Sequence, residues 1–292
     1  MIIETKNLTK YYGRHKGIEG LNLSVEEGSI FGFIGPNGAG KSTTIRVLLG
    51  LISKSSGEAT VLGLPLAKKK EILKRVGYLP SEMGFYPNMK VRDFLGYSGK
   101  LRGLNDSYET DKLCERLDLD QNKKIDALSF GNRKKVGIVC ALQHFPELYL
   151  LDEPTSGLDP LIQKEFWTLL KERNETGATI FLSSHVLSEV QRHCKEAAII
   201  KDGKIIIEGT VAELSKTTAR RIHLQGVNTI PDLSGIADSS ILDNEVNFLY
   251  QGDIKLLLEK LHQIPIENLT ITEPDLDEVF MHYYEKEESH DL

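Results

Sequence analysis

The feature that most constrains the fold is a glycine-rich segment at residues 35–42, with the sequence Gly-Pro-Asn-Gly-Ala-Gly-Lys-Ser. It matches the pattern G-x-x-x-x-G-K-[ST] and follows a short apolar run at residues 30–34, which is typical of a buried strand. A helical pattern comes next, with one apolar face formed by Ile45, Leu48, Leu49 and Ile52. Such a turn points backbone N–H groups and a helix N-terminus at one place, which favours phosphate. The segment therefore predicts a phosphate-binding loop in an α/β domain. A glycine-rich turn that merely precedes a helix is the alternative.

Composition narrows the class of protein. The 292 residues suggest about two domains, and a net charge of −6 argues against a dedicated nucleic-acid binder. No apolar run approaches the roughly 20 residues of a membrane-spanning helix, and the N-terminus does not read as a secretory signal. The three cysteines (Cys114, Cys140 and Cys194) are far apart, as expected in a reducing compartment. A secreted disulfide scaffold and a membrane-embedded chain are therefore not expected.

The pattern changes along the chain near residue 213. Up to that point strands alternate with helices, which predicts an α/β domain over residues 1–213, with a helical subdomain at about 91–141. A helix from Pro160 begins at an Asp159 N-cap and is closed by Gly177. Residues 214–286 instead predict a small α+β domain in the order ββαβα, with its last helix around 276–283. The polar residues 287–292 are expected to be a disordered tail.

Two further apolar strands end in groups that carry chemistry. Residues 148–151 are followed by Asp152 and Glu153, and residues 179–182 lead to His185. Because parallel strands end at the same edge of a sheet, we expect these side chains to meet the phosphate loop. Asp152 could then bind Mg²⁺, and Glu153 could polarise a water molecule for attack on a γ-phosphate. Taken alone, a strand-end Asp-Glu pair is more often a turn, and a lone histidine is more often structural.

These residues, taken in order, resemble the nucleotide-binding subunit of ABC transporters. Tyr12 occupies the place of the adenine-stacking aromatic residue in that family. Residues 128–132, Leu-Ser-Phe-Gly-Asn, occupy the place of the signature motif, and residues 156–159, Ser-Gly-Leu-Asp, match the D-loop. His185 matches the switch histidine. The resemblance covers roughly residues 2–214, and it is more specific than the phosphate loop alone.

The resemblance implies a P-loop NTPase fold of the ABC type, with a RecA-like core, an antiparallel β subdomain and a helical subdomain. It implies ATP and Mg²⁺ as cofactors, catalytic roles for Glu153, His185 and Lys41, and metal contacts from Ser42 and Asp152. It also implies that two such domains, a second copy or a homologous ATPase, pack head to tail around ATP. The nucleotide-contacting residues would be Tyr12, Gly35, Pro36, Asn37, Gly38, Ala39, Gly40, Lys41, Ser42 and Thr43, with Ser129 and Gly131 contributed by the other subunit.

The chain departs from the family pattern at two places. Phe130 and Asn132 stand where the signature consensus has glycine and glutamine. Ser81 stands where the Q-loop glutamine is expected, and it is too short to reach Mg²⁺ in the same way. Either a water molecule bridges the gap, or the adjacent Glu82 takes over, or metal sensing is weaker. The basic run at residues 133–135 is expected to be a solvated face, although it could add charge near a phosphate.

Within the family, the chain looks most like ATPases of ABC-2-type exporters. The features are Tyr-Leu-Pro at residues 78–80, Phe-Tyr-Pro at 85–87 and a small C-terminal domain ending near Val279 and Phe280. This implies a membrane permease as partner and a peripheral position on the cytoplasmic face of the membrane. The apolar segment 83–95 would be either subdomain core or a groove for a permease helix. An importer ATPase, a soluble ABC ATPase acting on DNA or the ribosome, and a regulatory module without turnover are the alternatives.

Overall fold

The computed structural model describes residues 1–86, 88–214 and 219–272. The chain forms two compact units, Met1–Thr210 and Val211–Leu292. The strands of the first unit are β1 (Ile3–Tyr12), β2 (His15–Val25), β3 (Ile30–Ile34), β4 (Ser56–Val61), β5 (Leu64–Pro65), β6 (Val76–Leu79), β7 (Leu148–Asp152), β8 (Thr179–Ser184), β9 (Glu196–Lys201) and β10 (Lys204–Thr210). Its helices are α1 (Lys41–Leu48), α2 (Lys69–Arg75), α3 (Val91–Leu101), α4 (Tyr108–Arg116), α5 (Phe130–Leu142), α6 (Pro160–Glu175) and α7 (Leu187–His193). Short 3₁₀ turns lie at Leu66–Lys68 and Ile125–Ala127.

The central sheet of the first unit has the strand order β10-β9-β3-β8-β7-β6. All neighbours in it are parallel except β9 and β10, which form an antiparallel pair. Strands β7 and β8 are buried along their whole length, as the short apolar runs at residues 148–151 and 179–182 predict. The parallel strands therefore deliver the residues that follow β3, β7 and β8 to one edge of the sheet.

A second sheet, with the order β2-β1-β4-β5, is antiparallel throughout. One buried cluster contains residues of both sheets, including Ile3, Val25 and Val61 from the second sheet and Phe31 and Phe181 from the first. This confirms the α/β class and the antiparallel subdomain that the resemblance implied.

Three helices lie within residues 91–142 of the first unit, the region where a helical subdomain was predicted at about 91–141. Helices α3, α4 and α5 lie in this range, and Ser129 caps α5 by accepting a hydrogen bond from the backbone N–H of Asn132. At the predicted start of α6, the Asp159 side chain accepts hydrogen bonds from the N–H groups of Leu161 and Ile162. Gly177, with φ of +101°, follows the end of that helix.

The second unit contains α8 (Val211–Leu214), β11 (Ala219–Gln225), β12 (Ile236–Leu242), β13 (Glu245–Gln251), α9 (Ile254–Leu261) and β14 (Asn268–Thr272). Its strands form an antiparallel sheet in the order β12-β13-β11-β14, and Leu257 and Leu261 of α9 belong to its core. The sequence-based order ββαβα missed β12. Most of that strand is exposed, and among the described strands it pairs with β13 alone, so it carries no alternating apolar signal.

The predicted last helix at 276–283 and the predicted tail at 287–292 lie outside the described residues. Within the ranges that the structure describes, none of the helices combines the length and the hydropathy needed to cross a membrane.

Candidate functional site

The glycine-rich segment joins the end of β3 to the start of α1, as its sequence predicted. Gly40, the residue before the helix, has φ of +111°, a conformation that L side chains rarely adopt. A Cβ atom at Gly35 would lie 2.4 Å from the carbonyl oxygen of Ile200 in β9. Asn37 and Gly38 are exposed, and Ser42 and Thr43 are partly buried in the first turn of α1. The loop thus presents backbone N–H groups and a helix N-terminus to the edge of the sheet.

Lys41 connects this loop to the neighbouring strand. Its side chain is 5% exposed, and its Nζ donates to the carbonyl oxygens of Gly35 at 2.6 Å and Pro36 at 3.1 Å. The same Nζ lies 3.2 Å from Oε1 of Glu153, which makes an ion pair without the alignment of a hydrogen bond. A buried cation therefore stands between the loop and the carboxylate that follows β7.

Asp152 at the end of β7 is fully buried and pairs in register with Ser183 of β8. Ser183 Oγ donates to Oδ1 of Asp152 at 2.6 Å, whereas Oδ2 has no hydrogen-bond partner among the described residues. An orphaned oxygen on a buried carboxylate fits a cation, because desolvating such a group is otherwise costly. The described residues contain no group of three or more acidic, histidine or cysteine side chains that could hold a metal alone. The donor set therefore fits Mg²⁺ held by one carboxylate, a hydroxyl and a nucleotide phosphate.

Glu153 and His185 form a contact that the sequence could only suggest. Glu153 has φ of +48°, and its N–H donates to the carbonyl and hydroxyl oxygens of Ser183 at 3.2 and 3.1 Å. This turn directs Oε2 to Nδ1 of His185, 2.7 Å away, while half of the histidine side chain stays exposed. A carboxylate held in a left-handed backbone conformation beside a cation and an imidazole is an arrangement found at functional sites.

Two residues near this edge were missed by the sequence analysis. The Ser183 hydroxyl donates a hydrogen bond to the Asp152 carboxylate and accepts one from the backbone N–H of Glu153. Glu189 of α7 accepts a hydrogen bond from Thr155 Oγ1 at 2.9 Å, and burial together with the nearby Glu153 raises the pKa of its carboxyl. No signal in the sequence separates these side chains from ordinary strand and helix residues.

Tyr12 ends β1 beside the same loop. Its side chain is 45% exposed, its hydroxyl lies 3.5 Å from Oγ1 of Thr43, and Lys10 Nζ stands 5.1 Å above its ring. A Cβ atom at position 17, where the chain has glycine, would lie 3.0 Å from this ring. A half-exposed aromatic ring at the mouth of the loop can stack on a flat ligand.

The segment at residues 128–132 lies at the start of α5. Among the described residues, Ser129 accepts hydrogen bonds from the N–H groups of Asn132 and Arg133, and Gly131 lies against the backbone of Gly157. The Phe130 ring is 53% exposed and packs against Gly157, where a Cβ atom would lie 2.2 Å from the ring. The start of α5 thus touches the 156–159 turn and leaves Ser129 open to solvent.

The expectation of a solvated basic face at residues 133–135 was wrong for two of the three residues. Lys134 is 3% exposed and Lys135 is 8% exposed, because α5 runs through the interior of the subdomain. Lys134 Nζ lies 3.4 Å from the carbonyl oxygens of Pro80 and Ser81, and Lys135 Nζ donates to the carbonyl of Asp118 at 3.3 Å. Burial lowers the pKa of Lys134 to about 8, against the opposing effect of Asp152 and Glu153.

The chain is similar in sequence to known ATP-binding proteins of transporters. Residues 18–156 match the family model described as ABC transporter. The chain is 37% identical to the bacitracin transport ATP-binding protein BcrA of Bacillus licheniformis, covering 96% of both chains. It is 31% identical to the linearmycin resistance ATP-binding protein LnrL of Bacillus subtilis (strain 168), over 96% of this chain and 97% of that one.

Solved structures agree with the sequence relatives. The chain superposes on a structure of the ATP binding subunit of an ABC transporter with a TM-score of 0.70 and 29% identity. The match covers 74% of this chain and 92% of that one. Together with the glycine-rich loop and the carboxylates at its edge, these similarities show that the chain belongs to the ATP-binding subunits of ABC transporters and is an ATPase.

Proposed function

We propose that this chain powers an ABC exporter, and that ATP is hydrolysed at the sheet edge where Lys41, Asp152, Glu153 and His185 meet. The observation that carries the proposal is the continuous set of contacts from Lys41 Nζ to Glu153 (3.2 Å) and from Glu153 to His185 (2.7 Å), beside the unpaired oxygen of Asp152. Phosphoryl transfer depends mainly on positioning and charge, and these groups provide both.

Each residue has a role that its position supports. The loop N–H groups and Lys41 bind the β- and γ-phosphates, and Tyr12 stacks on the adenine. Ser42 and Asp152 hold Mg²⁺, which when bound neutralises charge on the phosphates. Glu153 orients and polarises the attacking water, and His185 holds Glu153 in place from the open side. Glu82, which is exposed beside Ser81, contributes to the metal shell in place of the family glutamine.

A second ATPase subunit completes the site. Ser129 and Gly131 lie at the start of α5, where Ser129 is exposed, and within the described ranges Ser129 bonds to its own helix while Gly131 lies against Gly157. In the proposed head-to-tail dimer they bind the γ-phosphate held by the partner, where a helix N-terminus and a hydroxyl favour an anion. ATP then holds the two subunits together, and hydrolysis separates them.

The Glu153→Gln variant tests the catalytic assignment. It should bind ATP normally, lose at least about 100-fold in turnover and remain dimeric in gel filtration with ATP and Mg²⁺. Glu175→Gln, an exposed carboxylate on α6, is the matched control and should behave like the wild type. A variant that stays monomeric with ATP would argue against the head-to-tail dimer, and unchanged turnover would remove Glu153 from the mechanism.

Glu82→Gln tests the metal assignment separately. The ATPase rate should fall and more Mg²⁺ should be needed for half-maximal turnover, because a neutral amide is a weaker ligand. If both quantities stay at the wild-type values, Glu82 does not contact the metal.

The partner that we infer is a membrane permease of the ABC-2 type, at the cytoplasmic face of the membrane. The supporting feature is an apolar strip in the helical subdomain, formed by Tyr86 and by Phe94, Tyr97 and Leu101 of α3. Tyr86, Tyr97 and Leu101 are 60%, 49% and 64% exposed, and the rings of Tyr86 and Phe94 are 6.5 Å apart. Spacing of three and four residues places the α3 members on one face, which suits an incoming helix. The Tyr97→Ser/Leu101→Ser variant should keep its solution ATPase rate and lose co-purification with the permease.

Export is favoured by relatives that match over nearly the whole chain, one named for bacitracin transport and the other for linearmycin resistance. Co-expression with the permease should therefore lower the uptake of compounds such as these by cells, and Glu153→Gln should abolish the effect. Higher uptake would instead indicate an importer.

The second unit is proposed to be an accessory domain that stabilises the dimer. Removing residues 214–292 should then weaken ATP-dependent dimerisation. If dimerisation is unchanged, the second unit does not stabilise the dimer.

A further inference from the structure

Lys134 of α5 is a buried cation that the proposed mechanism does not use. It is 3% exposed, and its ammonium group lies 3.4 Å from each of the backbone carbonyl oxygens of Pro80 and Ser81. A lysine ammonium group carries three donors and is strongly hydrated in water. Two long contacts to neutral carbonyl groups compensate only part of the cost of burying it.

The backbone contacted by Lys134 belongs to the segment that replaces the family Q-loop. Its attachment to α5 is reinforced at Gly137, one turn further along the helix. A Cβ atom there would lie 1.9 Å from Sδ of Met83 and 2.8 Å from a methyl group of Leu79. The helix therefore touches residues 79–83 with both its cation and its backbone.

The sheet register places this contact beside the catalytic carboxylates. Strand β6 ends at Leu79, which pairs with Leu151 of β7, so Pro80 and Ser81 leave the sheet next to Asp152 and Glu153. Lys134 projects from the same helix that Ser129 begins, five residues earlier. The helix that Ser129 caps thus carries a side chain that contacts the backbone at residues 80 and 81, next to the strand end that bears the carboxylates.

We propose that Lys134 is a positioning residue of the ATPase, which ties the backbone of residues 80 and 81 to the signature helix and keeps a positive charge beside Asp152 and Glu153. This inference rests on the proposed roles of those two carboxylates. It assigns to Lys134 the connection between the metal side of the site and the helix that faces the partner subunit. Asp152 and Glu153 act electrostatically on the Lys134 ammonium group, so the attraction between the lysine and the carboxylate pair is mutual.

A stability measurement separates this role from ordinary packing. Burying an ammonium group with only two long contacts to neutral carbonyl oxygens costs free energy, and an apolar side chain of similar length removes that cost. Lys134→Met should therefore keep or raise the melting temperature while lowering kcat about 10-fold, with a smaller change in KM for ATP. Lys134→Arg keeps the charge and should recover most of the rate.

Lys135→Met is the matched control, because Lys135 is an equally buried neighbour whose ammonium group contacts Asp118 instead. Its kcat should stay within about twofold of the wild type. All variants are measured as the full chain, with ATP and a titration of Mg²⁺.

Three outcomes would overturn the proposal. Lys134→Met could retain the wild-type kcat, or it could lose activity only in proportion to a lowered melting temperature, which would indicate a purely structural lysine. Equal losses in Lys134→Met and Lys135→Met would likewise remove any special link to the carboxylates. The proposed function is judged separately by Glu153→Gln, so its failure is distinguishable from the failure of this inference.

Discussion

Ser183→Ala is the perturbation whose cost the structure defines best. The hydroxyl donates to Oδ1 of fully buried Asp152 at 2.6 Å and accepts from the N–H of Glu153 at 3.1 Å. Removing it leaves both oxygens of a buried carboxylate without a hydrogen bond, since Oδ2 already has no partner among the described residues. A hydrogen bond to a charged group contributes about 1.5–3 kcal/mol. The free energy of unfolding of the first unit should fall by that amount, roughly a 10- to 150-fold change in the folding equilibrium.

The assay uses a probe that the chain already contains. Trp167 is the single tryptophan, it is 8% exposed and it lies in α6 of the first unit, so its fluorescence during a urea titration reports this unit. The matched control is Ser188→Ala, an exposed serine on α7, which should change the free energy of unfolding by less than about 0.5 kcal/mol.

A double-mutant cycle with Asp152→Asn tests the physical reason. Once the carboxylate is neutral, Ser183→Ala should cost at least about 1 kcal/mol less than in the wild type, because the penalty depends on the buried charge. The buried charge does not set the cost if Ser183→Ala lowers the free energy of unfolding by less than about 0.5 kcal/mol, or by the same amount with and without the Asp152 carboxylate.

Other perturbations have equally defined outcomes. Gly157→Ala should lower the free energy of unfolding by about 1–3 kcal/mol, because Gly157 has φ of +77° and its Cβ would lie 2.2 Å from the Phe130 ring; adding Phe130→Gly should recover part of the loss in urea titrations. Burial lowers the pKa of His144 to about 4 from 6.5, so stability held above pH 6.5 should decline as the pH falls towards 4. Protonation there would oppose Arg102, whose Nη1 lies 2.6 Å from Nε2 of the histidine, and His144→Gln should flatten the pH profile of stability in that window. Lys41→Ala should weaken binding of a fluorescent ATP analogue about 10- to 100-fold, and unchanged affinity would exclude a phosphate contact.

Much of the fold followed from local pattern. The strand at 30–34, the strand leading to Asp152 and the N-cap at Asp159 were predicted at their observed positions, because each depends on neighbouring residues alone. The exposed edge strand β12 was not predicted, because it depends on residues outside its own segment. Its pairing with β13 stabilises it, and its own side chains are not buried in an alternating pattern.

At the basic run 133–135, the residue types predicted the wrong exposure for two of the three side chains. Lysine is seldom buried, so a solvated face was the sound expectation from composition. The interior path of α5 overrides that preference for Lys134 and Lys135. Only the packing of α5 against residues 79–83 reveals that Lys134 contacts the backbone of Pro80 and Ser81.

The sequence by itself determined the phosphate loop, the carboxylates that end β7 and the alternation of strands and helices, because glycine conformation, capping and apolar periodicity are local properties. Tertiary structure alone decided that Glu153 contacts both Lys41 and His185, that Ser183 holds Asp152, and that Lys134 is buried. The three contacts join residues that are 31 to 112 positions apart in the sequence. They depend on the register of parallel strands and on helix packing, and neither is encoded within a short window of sequence.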